Sequence, residues 1–339
     1  MRQDIITQIN STELSDKSKS DIINSLTDRY LIETQKTKIQ IGDSKIGGYP
    51  HLPKNFEYPQ EDSFFYEFVG QINLSDLTDN NIPDFPKVGI MYFFIDDDFN
   101  VSNVNNKVFI LNSDISELEV KHPPIGKKTR CETFLDRTEF TELKLQFSKN
   151  YTIEQKLLNN IIDKQVTLGE TQISGFDIEQ FYTRDQIWGF TTTWGGGDAE
   201  WSAYLAKRRF SSLYWLTLDY KIEYLKKENI DFGQWLNNQI DEAISKQKEI
   251  LLKYDKGAYI YPYFETELVN LEYTKLHLDS FIDNFDYHKL ESQKWKMVLS
   301  LSSNYDAQMT FGDGKMEFFI NLDDLKNQNF DNFYCHIYN

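Results

Sequence analysis

The sequence predicts an α+β fold of duplicated strand-rich modules related by a pseudo-twofold, with largely antiparallel or mixed sheets flanked by helices. Two internal echoes and the composition predict it. Gly89-Ile90-Met91-Tyr92-Phe93-Phe94-Ile95 returns as Gly314-Lys315-Met316-Glu317-Phe318-Phe319-Ile320, with five of seven positions identical. Ile72-Asn73-Leu74-Ser75-Asp76-Leu77 returns as Ile320-Asn321-Leu322-Asp323-Asp324-Leu325. Such self-similarity constrains architecture before any residue has a role. Of 339 residues, 40% are hydrophobic and 15% aromatic, a composition that packs a core instead of staying disordered.

The elements follow in chain order. Ile5, Ile6 and Ile9 form the stripe of a first amphipathic helix. Ser20-Asp21 would cap a second carrying Ile22, Ile23, Leu26 and Leu31. From Lys45 to about residue 125, prolines and Gly47-Gly48 punctuate short strands. Phe64 to Leu74 and Gly89 to Ile95 are apolar on both faces, so each is expected to be covered on both sides. Val108 to Leu111 is a further strand, and Ser75-Asp76-Leu77 reads as a strand end passing into a helix start, with the Ser or Asp taking the orphan amide donors. Residues 153–164 have helical spacing, whereas Ser212 to Tyr224 alternates in part and reads as a strand. Phe232 to Tyr254 is the longest helix, with Leu236, Ile240, Ile244 and Leu251 on one stripe. Glu265 to Phe281 is helical, and strands at Trp295 to Leu301, Met316 to Leu322 and Phe330 to Ile337 close the chain, with a short helix near Leu325. Residues 1–34 thus form a helical segment and 35–339 one intertwined domain. Its first repeat covers about 40–150; the second covers about 165–339, with a helical insert at about 220–290.

Charge narrows function. There are 36 basic and 53 acidic residues, a net charge of −17. A field of that sign disfavours nucleic acid and anionic membranes and draws in basic partners. No run of eighteen apolar residues occurs, which excludes a membrane-spanning helix. Met1-Arg2-Gln3-Asp4 lacks the apolar core of a signal peptide, so a cytoplasmic location is expected. Cys131 and Cys335 stand far apart, outside any CxxC pattern, and read as structural thiols. The five histidines form no HxH, HExxH or HxxxH pair, and no GxSxG, GxxxxGK[ST] or GxGxxG motif occurs. Asp96-Asp97-Asp98 lacks the spacing of a calcium loop, and Lys207-Arg208-Arg209 is a short cluster in an acidic chain. No catalytic set, metal site or cofactor is therefore expected.

One neighbourhood stands out. Gly195-Gly196-Gly197-Asp198 is a tight turn or flexible loop bracketed by Trp188, Trp194 and Trp201, with Glu200 beside it. Large rings around a glycine turn make a binding surface, because a few aromatic anchors carry much interface energy; three tryptophans equally suit a core. The candidate contact residues are Trp188, Trp194, Asp198, Glu200 and Trp201.

Several segments together resemble a known family. Lys45-Ile46-Gly47-Gly48-Tyr49-Pro50-His51-Leu52-Pro53 is similar to the Gly-Gly-x-Pro-x-Leu-Pro opening of the bacterial YwqG-like domains. Phe68 to Leu74 and Gly89 to Ile95 resemble its next two strands. Thr310-Phe311-Gly312-Asp313-Gly314-Lys315-Met316-Glu317-Phe318-Phe319-Ile320 resembles its W-G-D-x-G-x-L-x-F-F-I signature, with Phe311 where that pattern has Trp. The match covers about residues 40–125 and 293–339, while the centre reads as expanded. The resemblance implies a duplicated α+β fold and no established enzyme activity. It also implies bacterial toxin and secretion loci, where small acidic proteins serve as immunity factors. Two functions are carried forward: a protein-binding factor, in concrete form an immunity protein against a basic toxin domain; and a small-ligand binder or enzyme using a cleft between the repeats.

Overall fold

A computed structural model describes residues 2–61, 64–96, 104–125, 140–153, 172–173, 176–177, 185–189, 199–258, 261–310 and 314–338. Cys131, Trp194, Gly195 to Asp198, Gly312, Asp313 and most of the helix expected at 153–164 lie outside the described residues. The chain divides into two compact units, residues 1–196 with 296–339, and residues 197–295.

The first unit opens with helices α1 (Arg2–Ser11) and α2 (Asp16–Ser25), which bury Ile5, Ile9 and Ile22. The cap of α2 is Ser15, not Ser20: its side chain accepts from Ser18 N and satisfies one orphan donor. Leu31 is not helical. Tyr30-Leu31-Ile32 instead fall in strand β1 (Thr27–Gln35), where long-range pairing and burial override the helical spacing.

Nine more strands join β1 in one sheet: β2 (Lys45–Ile46), β3 (Glu67–Asn73), β4 (Ile90–Ile95), β5 (Asn106–Leu111), β6 (Leu143–Thr152), β7 (Gln186–Gly189), β8 (Trp295–Ser302), β9 (Lys315–Asn321) and β10 (Tyr334–Tyr338). Their order is β10-β9-β8-β7-β1-β6-β2-β3-β4-β5, and the pairing is antiparallel. The sheet curls until its two ends meet. Val104, just ahead of β5, forms a main-chain bridge with Cys335 of β10, its N–H donating to Cys335 O at 3.0 Å. Asn106 Nδ2 donates to Phe333 O at 3.3 Å. Closure of this kind leaves little unpaired edge.

Alternation along β4 explains why both its faces are apolar. Met91, Phe93 and Ile95 enter the core enclosed by the curled sheet, with Val69, Leu145, Ile187, Leu299 and Phe318. Ile90, Tyr92 and Phe94 enter a second core with Leu52, Tyr58, Phe68 and Leu118. Cys335 is buried in the first core, as expected of a structural thiol.

The echoes acquire a physical meaning here. In the first, β4 matches β9, each second from an end of the sheet, and the equivalent rings Phe93 and Phe318 meet at 5.0 Å. In the second, the exit of β3 matches the exit of β9. Asn73 caps the 3-10 turn Leu74–Asp76 by accepting from Ser75 N, and Asn321 caps the helix Leu322–Lys326 by accepting from Asp323 N. The capping residue is thus the asparagine, not the Ser or Asp after it. The two echoes give β9 different counterparts, β4 in the first and β3 in the second.

The second unit is helical: α3 (Ala199–Lys207), α4 (Asp219–Lys227), α5 (Phe232–Lys253), α6 (Tyr261–Asp283) and α7 (Phe285–Ser292). Asp231 caps α5 by accepting from Gln234 N. The ion pairs Lys275–Asp241 (2.7 Å) and Lys248–Glu272 (2.9 Å) link α5 with α6. The strand expected at Ser212 to Tyr224 is instead a 3-10 segment, Ser211–Leu216, followed by α4. Leu218 and Leu225 are buried while Tyr220 and Tyr224 share an exposed face, a helical period that the partial alternation masked.

The Gly-Gly-x-Pro-x-Leu segment forms a polar knot between β2, β3 and β6. Gly47 and Gly48 take left-handed φ values of +67° and +64°. A Cβ on Gly47 would stand 2.3 Å from Thr141 O, so no side chain fits. Beyond them His51 is buried, and its Nδ1 accepts from Gly42 N at 3.1 Å and faces Gln71 Nε2 at 3.1 Å. Gln71 Oε1 accepts from His51 N, and Tyr92 OH donates to His51 O. Lys45, also buried, pairs with Glu142 at 3.0 Å. Burial, then the charge of Lys45, pushes the imidazole from 6.5 down to about 4, which suits a ring nitrogen that accepts from an amide.

Two predictions follow from the knot. The folded protein holds His51 neutral while the unfolded chain protonates it, so stability should fall on acidification between pH 6.5 and about 4. The loss reaches roughly 3 kcal/mol. In urea denaturation above and below that window, His51→Gln should lose part of the pH dependence; an unchanged slope would reject the assignment. Gly47→Ala should cost about 3 kcal/mol or more. Gly257→Ala, where a Cβ meets nothing closer than 3.6 Å, is the matched control and should be near neutral in the same melts.

Candidate functional site

The candidate contact residues separate on inspection. Trp188 lies in β7 of the sheet unit, Glu200 and Trp201 begin α3 of the helical unit, and Trp194 and Asp198 are outside the described residues. Trp201 is fully enclosed. Its Nε1 donates to Thr217 Oγ1 at 2.8 Å, its ring stacks on Tyr204 at 5.5 Å, and Lys289 Nζ stands 4.5 Å from it. An anchor for a partner needs exposed area, and Trp201 spends its ring on its own core. Trp188 is also largely buried, but it forms the wall of a cavity.

That cavity has a volume of about 410 Å³. Arg2, Asp28, Lys149, Tyr151 and Trp188 line it, together with Asn81, Ile82 and Pro83 of the segment between β3 and β4. Antiparallel register builds the sheet side: Asp28 stands opposite Tyr151, and Tyr30 opposite Lys149. Lys149 Nζ pairs with Asp28 Oδ2 at 2.8 Å and donates to Asp79 O at 2.8 Å. Tyr30 OH donates to Thr78 O at 2.7 Å. Burial and the nearby charges of Asp28 and Asp79 push Tyr30 up to about 12, which keeps it a neutral donor. Two sheet side chains thereby pin the segment that carries Asn81 to Pro83.

Three non-glycine residues at this cavity or on that segment take left-handed φ values: Asp79 at 54°, Asp84 at 57° and Trp188 at 58°. Aspartate tolerates this conformation; a tryptophan there is a true outlier. It re-aims the Trp188 ring out of the strand pleat, edge-on to Phe85 at 5.7 Å. Arg2 is exposed and forms no ion pair with a described residue; its guanidinium lies 6.0 Å from the Tyr151 ring. The lining thus combines flat rings, one paired acid and one guanidinium with donors to spare.

Polar residues that sequence reading passed over form a row across the other face of the sheet. Arg29 Nη1 donates to Gln186 Oε1 at 2.7 Å, and Ser300 Oγ to Glu317 Oε1 at 3.0 Å. Tyr334 OH meets His336 Nδ1 at 2.9 Å, and Glu317 is in register with His336. Arg29, Ser300 and Glu317 are all closed to solvent, so the Ser–carboxylate pair presents nothing to a substrate. No local motif marks these residues, because only the strand order aligns them.

The helical unit offers surface of another kind. Trp215, Tyr220 and Tyr224 are 58%, 59% and 58% exposed within ten residues. Tyr220 and Tyr224 stand one turn apart on α4, with Trp215 in the 3-10 segment ahead of it. Of seventeen exposed large hydrophobic side chains among the described residues, eleven belong to this unit. Sequence reading missed the face because it took this stretch for a strand.

Among the described residues no helix is long and apolar enough to cross a membrane, and no three His, Cys, Asp or Glu side chains gather as metal ligands. A comparison with curated proteins finds no match. Residues 44–338 match a family described as a domain of unknown function (DUF1963), from the opening of the polar knot to the last strand of the sheet, and the chain belongs to that family.

Proposed function

We propose that the chain is a protein-binding factor whose contact surface lies on its helical unit. The observation that carries this reading is the concentration of exposed large hydrophobics there, eleven of seventeen among the described residues, with Trp215, Tyr220 and Tyr224 as its aromatic centre. Scattered apolar side chains are ordinary on a soluble surface, whereas neighbouring ones such as Tyr220 and Tyr224, one turn apart on α4, mark an interaction site. Trp and Tyr are also the residues that most often anchor an interface. Trp194 and Asp198 keep the contact role expected of them from the sequence, as does Glu200 of α3, whereas Trp188 and Trp201 are buried within their own units.

The net charge of −17 makes the partner a basic protein. The resemblance to the YwqG-like domains gives the concrete form: an immunity factor that blocks a basic toxin domain in the cytoplasm. The duplicated origin belongs to the same reading and is supported by the meeting of Phe93 with Phe318.

The test is protection. Where a toxin domain is encoded beside this chain, cells expressing it should survive when the chain is co-expressed. The combined variant Trp215→Ala, Tyr220→Ala, Tyr224→Ala should lose protection while melting within a few degrees of wild type. Failure of the wild type to protect rejects the immunity role, and full protection by the triple variant rejects this surface.

A further inference from the structure

We propose that the cavity beside Trp188 binds a small planar organic anion, an aromatic carboxylate in the simplest case. This goes beyond the protein-binding reading and rests on the other unit of the chain.

Size and rigidity come first. A volume of about 410 Å³ falls in the range of small-molecule sites. Its outer wall is held in advance: Tyr30 OH fixes Thr78 O at 2.7 Å, and Lys149 Nζ fixes Asp79 O at 2.8 Å. Trp188, on the wall itself, holds a left-handed backbone. Such strain costs about 1–3 kcal/mol per residue, persists where the surroundings over-determine it, and clusters at ligand clamps. A packing gap in a core needs no strained tryptophan on its wall.

Chemistry selects the ligand. Trp188 and Tyr151 supply flat ring surface. The charge of Asp28 is already met by Lys149 at 2.8 Å, which leaves the Arg2 guanidinium as the net charge among the described residues of the lining. Arg2 forms no ion pair with a described residue, so its planar fork is available for bidentate contact with a carboxylate. In a chain of net charge −17, an uncommitted cation beside two aromatic walls runs against the prevailing field and points to an anion. Lysine would serve a bulky or tetrahedral anion as well; a guanidinium flanked by rings favours a flat one.

Ligand-observed NMR on the full chain with three probes tests this. Benzoate is planar and anionic, benzamide planar and neutral, and cyclohexanecarboxylate anionic but not planar. Saturable benzoate binding is expected, with the other two weaker. Arg2→Ala, at an exposed position, should weaken benzoate about tenfold or more. Tyr151→Leu should weaken benzoate while narrowing its advantage over cyclohexanecarboxylate. No benzoate binding at millimolar concentration overturns the proposal. So does equal binding of benzamide, or benzoate affinity unchanged in Arg2→Ala with an unaltered melting temperature.

Discussion

Closure of the ten-stranded sheet is the constraint on which the rest of the sheet unit depends. An open sheet of this size would leave the outer strands β5 and β10 as templates for another chain. Here the main chain joins Val104 to Cys335, and the ring of Phe93 meets those of Phe318 and Phe333 inside. These groups lie far apart in sequence. The entropy of bringing them together grows only slowly with the length of the intervening chain, whereas each large ring buried in the core contributes on the order of 2 kcal/mol. A curled sheet also fixes what each strand must be. Positions facing in are apolar almost without exception, so polar groups are pushed outward or between layers.

That displacement explains the buried polar groups. Arg29, Lys45, His51 and Glu317 are all shielded from water, yet none belongs to the enclosed core. Arg29, Lys45 and Glu317 are held by hydrogen bonds or an ion pair on the side of their strands away from that core, and His51 by its contacts with Gly42 and Gln71 in the knot. Burying a charge costs several kcal/mol unless a partner is fixed in place, so these groups tie strand register to side-chain pairing. Slipping β8 against β9 by one residue would move Ser300 away from Glu317 and turn a carboxylate toward apolar side chains. The same framework sustains the strained backbone at Trp188, whose ring is wedged against Phe85.

The sequence made some of this legible and hid the rest for identifiable reasons. The strands at Gly89 to Ile95 and Met316 to Leu322 and the long helices were readable because burial on fixed periods leaves a local trace. Leu31 was misread as helical because its partners in β6 are more than a hundred residues away. Tyr220 and Tyr224 were misread as strand because aromatic residues interrupt the apolar period and favour strands by propensity. Trp188 was found through its residue type, but the cavity was not. Arg2, Asp28, Lys149 and Tyr151 carry no shared motif and converge only once β1 and β6 are in register. Trp201 misled in the opposite direction, since nothing local tells a core tryptophan from an exposed anchor.

Charge and apolar surface are divided unequally between the two units, and the division bears on how a partner would be bound. The helical unit has 17 acidic and 13 basic residues, and the remainder of the chain has 36 and 23. The sheet unit therefore carries most of the excess negative charge, and the helical unit, among the described residues, most of the exposed large apolar side chains. Long-range attraction sets encounter rates and fades with salt, whereas desolvated aromatic contacts set dissociation and do not. A chain that puts these properties on different units can change one without disturbing the other. Substituting an exposed ring on α4 leaves the field intact, and neutralising acids on the sheet leaves the rings intact. The small cavity at Trp188 belongs to neither system: among the described residues of its lining, the uncommitted cation Arg2 lies within the more acidic unit. A ligand there would meet a site set apart by sign as well as by shape.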